Sequence, residues 1–460
     1  MTTPGAPSAD YLDELIDLAT SVSLERLPSR VVHQGRRILV DTVGVILEGM
    51  TEPPVRALAE RMAQASIAPS STILGSGRRA EAMWAALASA TSGVWHELDP
   101  GHRFVDANVA VYAVAAGLAV GEREKASGKG LLEAILAGYE LGVRTGLGTT
   151  LRPGMHPHGS WPVVAAAVTA GLLMGHGHSR LRETVNVSTT VSLATSSRTV
   201  YEGASIRSAC AGFGSAMGVF AADLVRDGFT GERDGITTVF GDIAGVYFDV
   251  EKCLDGMGNR WEIERGYHRV HACARDVQPA LDALIDLTAG QSIPSESIER
   301  IEVHTYAMAA TMSRVAPENG LAAKFSIPHA LAAHLIIGDT GVDAFSDEAV
   351  NDPRIKALRS RVTVQREMKV DGRTPLELPA SVRVFLRNGE TLEHSCPVAV
   401  GEDDSTPLSD EALNRKFMDL SSRALGPERA QHLLERLWQI ETVEDIRDVI
   451  SLTLPLETAS

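Results

Sequence analysis

Two short stretches concentrate residue types that can move protons. Residues 95–104 read WHELDPGHRF and gather His96, Glu97, Asp99, His102 and Arg103 around a Pro-Gly pair. Proton transfer needs a carboxylate or imidazole whose pKa can be tuned by burial and neighbours. The same residues also fit a plain polar connection between helices, with Asp99 as a cap. Residues 152–161, RPGMHPHGSW, set His156 and His158 on either side of Pro157. Its fixed φ and missing N–H keep that segment out of helix. The segment opens an Ala-rich helix from Pro162, so its side chains can face a cleft, and a helix N-terminus favours an anion. A surface loop with incidental histidines is the alternative. H-x-H offers two metal ligands with no third specified nearby, so no metal is expected.

Cations that could hold an anionic substrate sit at three further places. Arg207 lies in YEGASIRSACAG (201–212), ahead of a small-residue helix. Its guanidinium fork can pair bidentately with a carboxylate, or it can simply be solvated. GYHRVHACARDVQ (266–278) carries His268, Arg269, His271 and Arg275 where the sequence texture changes, a position suited to an interdomain cleft or to interdomain salt bridges. Lys324, in KFSIPH (324–329), could reach across from a lid. G-x-G-x-x-G after a strand, Walker A, G-x-S-x-G and H-E-x-x-H are all missing, which removes support for nucleotide, α/β-hydrolase and zincin chemistry.

The elements that must position these residues come from periodicity. From about residue 8 to 270 the pattern is helical, with stripes such as Val31, Ile38, Leu39, Val43 and Ile46, followed by Ala-rich segments at 79–93, 109–121, 130–146, 161–175 and 209–226. After about 290 the texture alternates: 298–306 reads as a strand, and 381–398 as a hairpin turning at Asn388-Gly389. Residues 327–338 and 347–358 look helical, GEDDSTP (401–407) looks like a hinge-like linker, and helical pattern returns to the end. The expected fold is mainly α. A discontinuous helical domain, 1–272 plus 406–460, carries an inserted α+β lid, 273–405.

Composition narrows the class. The 460 residues carry 43 Lys+Arg against 59 Asp+Glu, a net charge of −16. No basic run offers a face to a phosphate backbone, so a nucleic-acid partner is not expected. Cys210, Cys253, Cys273 and Cys396 are scattered, which fits a reducing compartment rather than a disulfide or zinc scaffold. Residues 1–18 lack the pattern of a signal peptide. The apolar runs 109–120 and 161–174 fall short of a bilayer span. A cytoplasmic protein with no membrane partner is expected.

Taken in order, these segments resemble the MmgE/PrpD family, which includes 2-methylcitrate dehydratase, cis-aconitate decarboxylase and iminodisuccinate epimerase. The resemblance runs through RRILVDTVGVILEGM (36–50), WHELDPGHRF, GYELGVR (138–144), HPHGSWPVVAAA (156–167), DGFTGERDG (227–235), CARDVQPALDAL (273–284) and KFSIPHALAAHLIIGD (324–339). It implies a helical domain plus a lid, a homodimer, no cofactor, and a site between the domains for small di- and tricarboxylates. Asp99 matches the family's aspartate and His156 its histidine. Elsewhere the chain departs: a family histidine falls at Asn108, lysines at Arg207 and near Arg269, a histidine at Gln278, and a tyrosine at His329. Arg keeps a cation but is a poor base, and Asn and Gln cannot exchange protons near pH 7.

The resemblance therefore implies a cofactor-independent lyase, a dehydratase of a small hydroxylated carboxylic acid. His156 would be the general base or acid and Asp99 its partner, with His102 and His158 as further candidates. Arg103, Asn108, Arg207, His268, Arg269, His271, Arg275, Gln278 and Lys324 would bind substrate. An epimerase or isomerase, a decarboxylase, a specialised biosynthetic enzyme and a non-catalytic homologue stand as alternatives.

Overall fold

Small side chains let helix axes approach closely, and the Ala- and Gly-rich segments occupy the middle of the molecule for that reason. The computed structural model describes residues 10–290 and 293–455. It packs Ala82–Gly93, Val109–Glu124, Gly128–Gly148, Val163–Leu173 and Ile206–Arg226 against one another. A Cβ at Gly138 would stand 2.0 Å from Thr169 Oγ1, and one at Gly212 2.1 Å from Thr91 Oγ1, so two of these crossings require glycine.

Around this centre, Ser29–Gly49 buries its stripe against Asp410–Leu425, and Pro427–Trp438 packs on both. The first core accordingly draws on residues 11–263 and again on 408–450. Ile206–Arg226 is the one helix among the described residues long and apolar enough to cross a membrane, and 67% of its most apolar window is buried inside the protein.

The second core, within residues 272–396, forms around a four-stranded sheet. Val362–Arg366 pairs parallel with Ile298–Thr305, which pairs antiparallel with Ala380–Leu386, and Thr391–Cys396 closes the hairpin. Alternation puts Ile301, Val303, Val382 and Val384 inward, where Gln278–Thr288 and Ile327–Ile337 cover them. The fold is mainly helical with this small mixed sheet, as the sequence pattern suggests. Val45, Leu98 and Leu420 from the helical part complete the second core.

Two local expectations are corrected. The helix expected over 347–358 is two, Asp347–Asn351 and Pro353–Arg359: Pro353 lacks the N–H to continue the first, and the Asp352 carboxylate caps the second through Arg354 N–H at 2.7 Å. The 401–407 segment is not a free hinge, because buried Glu402 clamps the Arg275 guanidinium and the Gly401 N–H meets Thr406 O at 2.6 Å. Of the expected domain ranges, residues 1–9, 291–292 and 456–460 lie outside the described residues.

Candidate active site

Strand pairing explains why the two reactive stretches meet. Gly101–His102 pairs antiparallel with Gly266–Tyr267, bringing the loop of Asp99 beside the segment of Arg269. The Tyr267 ring lies so close over Gly101 that a Cβ there would be 2.3 Å from its Cζ, so only glycine fits.

Above this junction lies a buried chain of polar groups. The Arg269 guanidinium donates to Glu97 Oε2 at 3.1 Å, Asp99 Oδ1 at 3.3 Å, Asn108 Oδ1 at 3.5 Å and the Tyr267 hydroxyl at 3.2 Å. Asn108 precedes the Val109–Glu124 helix without capping it, and its Nδ2 donates instead to Asp99 Oδ2 at 2.5 Å. Glu97 also forms an ion pair with Arg207, so one carboxylate joins two arginines. Glu97 takes φ +55°, a left-handed conformation uncommon outside glycine, and such strain persists where its surroundings enforce it.

Arg207 Nη2 approaches His158 Nε2 at 3.3 Å, and His158 Nδ1 lies 3.1 Å from the Tyr112 hydroxyl. Guanidinium can only donate, so Nε2 holds the lone pair and Nδ1 the hydrogen, which Tyr112 accepts along with the Gly159 N–H at 3.0 Å. Tyr112 lies in the first turn of the Val109–Glu124 helix that Asn108 precedes. His156 stacks on His158 with ring centroids 4.8 Å apart, and its Nδ1 accepts the His158 backbone N–H at 3.1 Å. Its Nε2 therefore carries the hydrogen in the neutral ring.

These surroundings set the charge states. Burial raises the Asp99 carboxyl, Arg269 pulls it back and Glu97 pushes it up, leaving it at about 6. Burial and then the Arg207 charge hold His156 down at about 3, and the same two causes put His158 well below the usual imidazole range. Both rings are neutral at pH 7.

A cavity of about 540 Å3 opens beside this chain. His96 and Ser208 on its wall adjoin Glu97 and Arg207 in sequence, and Lys324 reaches in from the second core's side, giving a hydrogen to Trp95 O at 2.9 Å. Burial lowers the Lys324 ammonium to about 8.

The structure thus brings together Asp99, Asn108, His156, His158, Arg207 and Arg269, with Lys324 close to Glu97 and Arg207 on the cavity wall. Other expected site residues are engaged elsewhere. His102 lies fully buried 3.3 Å from Glu262. His268 pairs with Asp41 at 2.6 Å, where Lys416 also binds. His271 bridges Asp282 at 2.9 Å and Thr340 at 2.7 Å, and Gln278 holds the carbonyls of His271 and Cys273. Arg275 pairs with Glu402, and Arg103 with Asp403 at 3.2 Å. His329 lies between Ala344 O and Arg359. Except for Gln278, each of these meets a partner at least eleven residues away, which local reading does not reveal. Glu97 and His96, singled out in the 95–104 stretch but given no role, and Tyr112 and Tyr267, which were not singled out, complete the arrangement. The acid pair Glu97 and Asp99 two residues apart was the available signal for the first. Among the described residues, no group of three or more His, Cys, Asp or Glu is placed to hold a metal ion.

Comparison with known proteins agrees with this architecture. Residues 13–250 match the MmgE/PrpD N-terminal domain, and residues 271–440 match the MmgE/PrpD C-terminal domain. The chain is 23% identical to the cis-aconitate decarboxylase-like protein oryM of Aspergillus oryzae, over 98% of each chain. This chain belongs to the MmgE/PrpD family, whose enzymes act on small carboxylic acids.

Proposed function

We propose that the chain is a cofactor-independent lyase that dehydrates a small hydroxylated carboxylic acid. The observation that carries this reading is Asp99: a fully buried carboxylate held at about 6 between Arg269 and Asn108, poised to exchange a proton near neutral pH. Ionised Asp99 takes the proton from the carbon next to the substrate carboxylate. The Arg207 and Arg269 charges stabilise the negative charge that develops. Asp99 then returns the proton to the departing hydroxyl, which leaves as water, and a double bond conjugated to the carboxylate remains. Neutral His156 donates a hydrogen bond from Nε2 and keeps its proton. His158, with its lone pair aimed at Arg207, positions that arginine.

Decarboxylation is the second reading. The name of the Aspergillus oryzae relative favours it, and a protonated Asp99 could deliver the proton that replaces the lost CO2. Incubating hydroxy acids and unsaturated acids with the protein in D2O separates the outcomes. New ultraviolet absorbance from a conjugated acid supports dehydration and CO2 release supports decarboxylation. Deuterium uptake with neither sinks both in favour of an epimerase.

The four free thiols fit a reducing, cytoplasmic setting. A homodimer is supported by the Ile206–Arg226 helix. Ile206, Phe213 and Phe220 are exposed at seven-residue intervals, with half-buried Cys210, Met217 and Leu224 between them, forming an apolar seam of coiled-coil spacing.

A further inference from the structure

We propose that Lys416 is a positioning residue for this reaction: held by Asp41, it fixes the backbone beside Asp99 and so sets how far that carboxylate stands from Arg269. This rests on the reading of Asp99 as the proton carrier and adds what places it.

Both ends of the Asp99–Arg269 contact lead back to one buried carboxylate. Asp41 lies in the Ser29–Gly49 helix and is 2% exposed. Its Oδ2 accepts from His268 Nδ1 at 2.6 Å, and its Oδ1 accepts from Lys416 Nζ at 2.6 Å. Lys416, from the Asp410–Leu425 helix, gives a second hydrogen to Leu98 O at 2.7 Å. Leu98 comes directly before Asp99, and His268 directly before Arg269. One carboxylate thus grips the residue ahead of each partner, directly on one arm and through a lysine on the other.

The grip on Leu98 matters because of the atom it takes. The Leu98 carbonyl and the Asp99 nitrogen belong to one planar peptide unit, so holding the oxygen fixes the plane from which Asp99 departs. The Asp99–Arg269 contact is 3.3 Å, and the attraction weakens as the two ions separate. Just before Leu98 stands the left-handed Glu97, whose strain persists only where its neighbours are held. On the other arm, the His268 N–H also meets Gly401 O at 3.0 Å, so Arg269 starts from a segment held at two points.

Stability alone does not call for this arrangement. A buried lysine–aspartate pair seldom gains more than apolar side chains of similar size would, since both ions lose their water. Burial raises the Asp41 carboxyl, but Lys416 and His268 outweigh it, so the group stays ionised and keeps its hold. The Asp99 carboxyl is set by burial and then by Arg269, Glu97, Arg207 and the Asn108 amide, with Lys416 not among them. What Lys416 does to Asp99 therefore passes through the backbone.

Carbon NMR of the full chain, with aspartate labelled at its side-chain carboxyl carbon, tests this, and Asp99→Asn identifies the Asp99 signal. Lys416→Met removes the donor to Leu98 O. Asp99 should then stand farther from Arg269, and its titration midpoint should rise by about half a unit or more. Lys416→Arg, which keeps a cation and a donor, should titrate with the parent. If Lys416→Met fails to fold, Asp41→Asn with Lys416→Met leaves neither ion buried alone and should show the same rise. A midpoint that is unmoved or lower without the lysine, an equal rise in Lys416→Arg, or loss of the fold in both lysine-free variants overturns the proposal. The measurement needs no turnover, so the two readings fail separately. Midpoints that behave as expected in a chain that yields no unsaturated acid or CO2 from any acid sink the lyase reading alone. An active chain whose Asp99 midpoint ignores Lys416 sinks the positioning role alone.

Discussion

Arg269 reaches Glu97 Oε2 and Asp99 Oδ1 with the same nitrogen, Nη1, at 3.1 and 3.3 Å. A guanidinium shared in this way cannot fully neutralise either carboxylate. Burial first, and then the neighbouring Glu97 charge, keep Asp99 at about 6 despite a direct arginine contact that would ordinarily hold an aspartate low.

Removing the competitor should expose that balance. Glu97→Gln leaves Arg269 to Asp99 and deletes a neighbouring negative charge, so the Asp99 carboxyl should fall by about one unit or more. The acid limb of the kcat/KM against pH profile should move to lower pH by the same amount. An unmoved limb would assign it to a group other than Asp99.

Stability should respond to pH through the same residue. The Asp99 carboxyl lies at about 6 in the fold, above its ordinary 3.8. Between those values the folded chain keeps a proton that the unfolded chain has lost, so stability falls as pH rises from about 4 to 6. Two units of difference correspond to about 3 kcal/mol. Asp99→Asn escapes this loss. It should be inactive, equal to the parent in urea unfolding near pH 4, and up to about 3 kcal/mol more stable at pH 8. A variant less stable than the parent at pH 8 contradicts the assignment.

His156 should act without changing its charge. Its Nδ1 accepts the His158 N–H, and protonating that nitrogen would set two hydrogens against each other. Imidazole 15N spectra should show one neutral tautomer, hydrogen on Nε2, from pH 5 to 8. His156→Gln, which keeps an N–H donor, should retain more kcat than His156→Ala, by about tenfold. A titration of this ring near 6.5 would instead restore it as an acid–base group.

The apolar seam on Ile206–Arg226 should hold two copies together. Phe213→Asp with Phe220→Asp should convert a dimer to a folded monomer in sedimentation experiments, since two buried carboxylates in a coiled-coil seam have no cation to pair with. A parent chain that already sediments as a monomer removes the seam's role.

How far the sequence carried this reading depends on how local each signal is. The Ala-rich helices and the Asn388-Gly389 hairpin were visible because periodicity and turn chemistry are properties of a few neighbouring residues. Arg207 stood out as a charged residue ahead of a small-residue helix, and Asp99 and Arg269 as members of stretches dense in charge and imidazole, and the three do converge. His268, His271 and Arg275 looked equally promising, yet their partners Asp41, Asp282 and Glu402 come from other elements, and only the folded chain decides which charge meets which. Glu97 was visible as a titratable residue, but its role was not, for a related reason. Its importance comes from a left-handed backbone that turns one carboxylate toward two arginines, and no residue type announces such a turn.

Leu98 lies between those two carboxylates, and its side chain is part of the second core. The peptide that carries the reactive groups is thereby bolted at its midpoint into the neighbouring unit's interior. The two halves of this molecule are consequently poor candidates for exchange. A chimera that grafted another relative's C-terminal half onto this helical half would have to refit the socket around Leu98. Any misfit there would shift Glu97 and Asp99 on either side of it, even with every charged residue left in place.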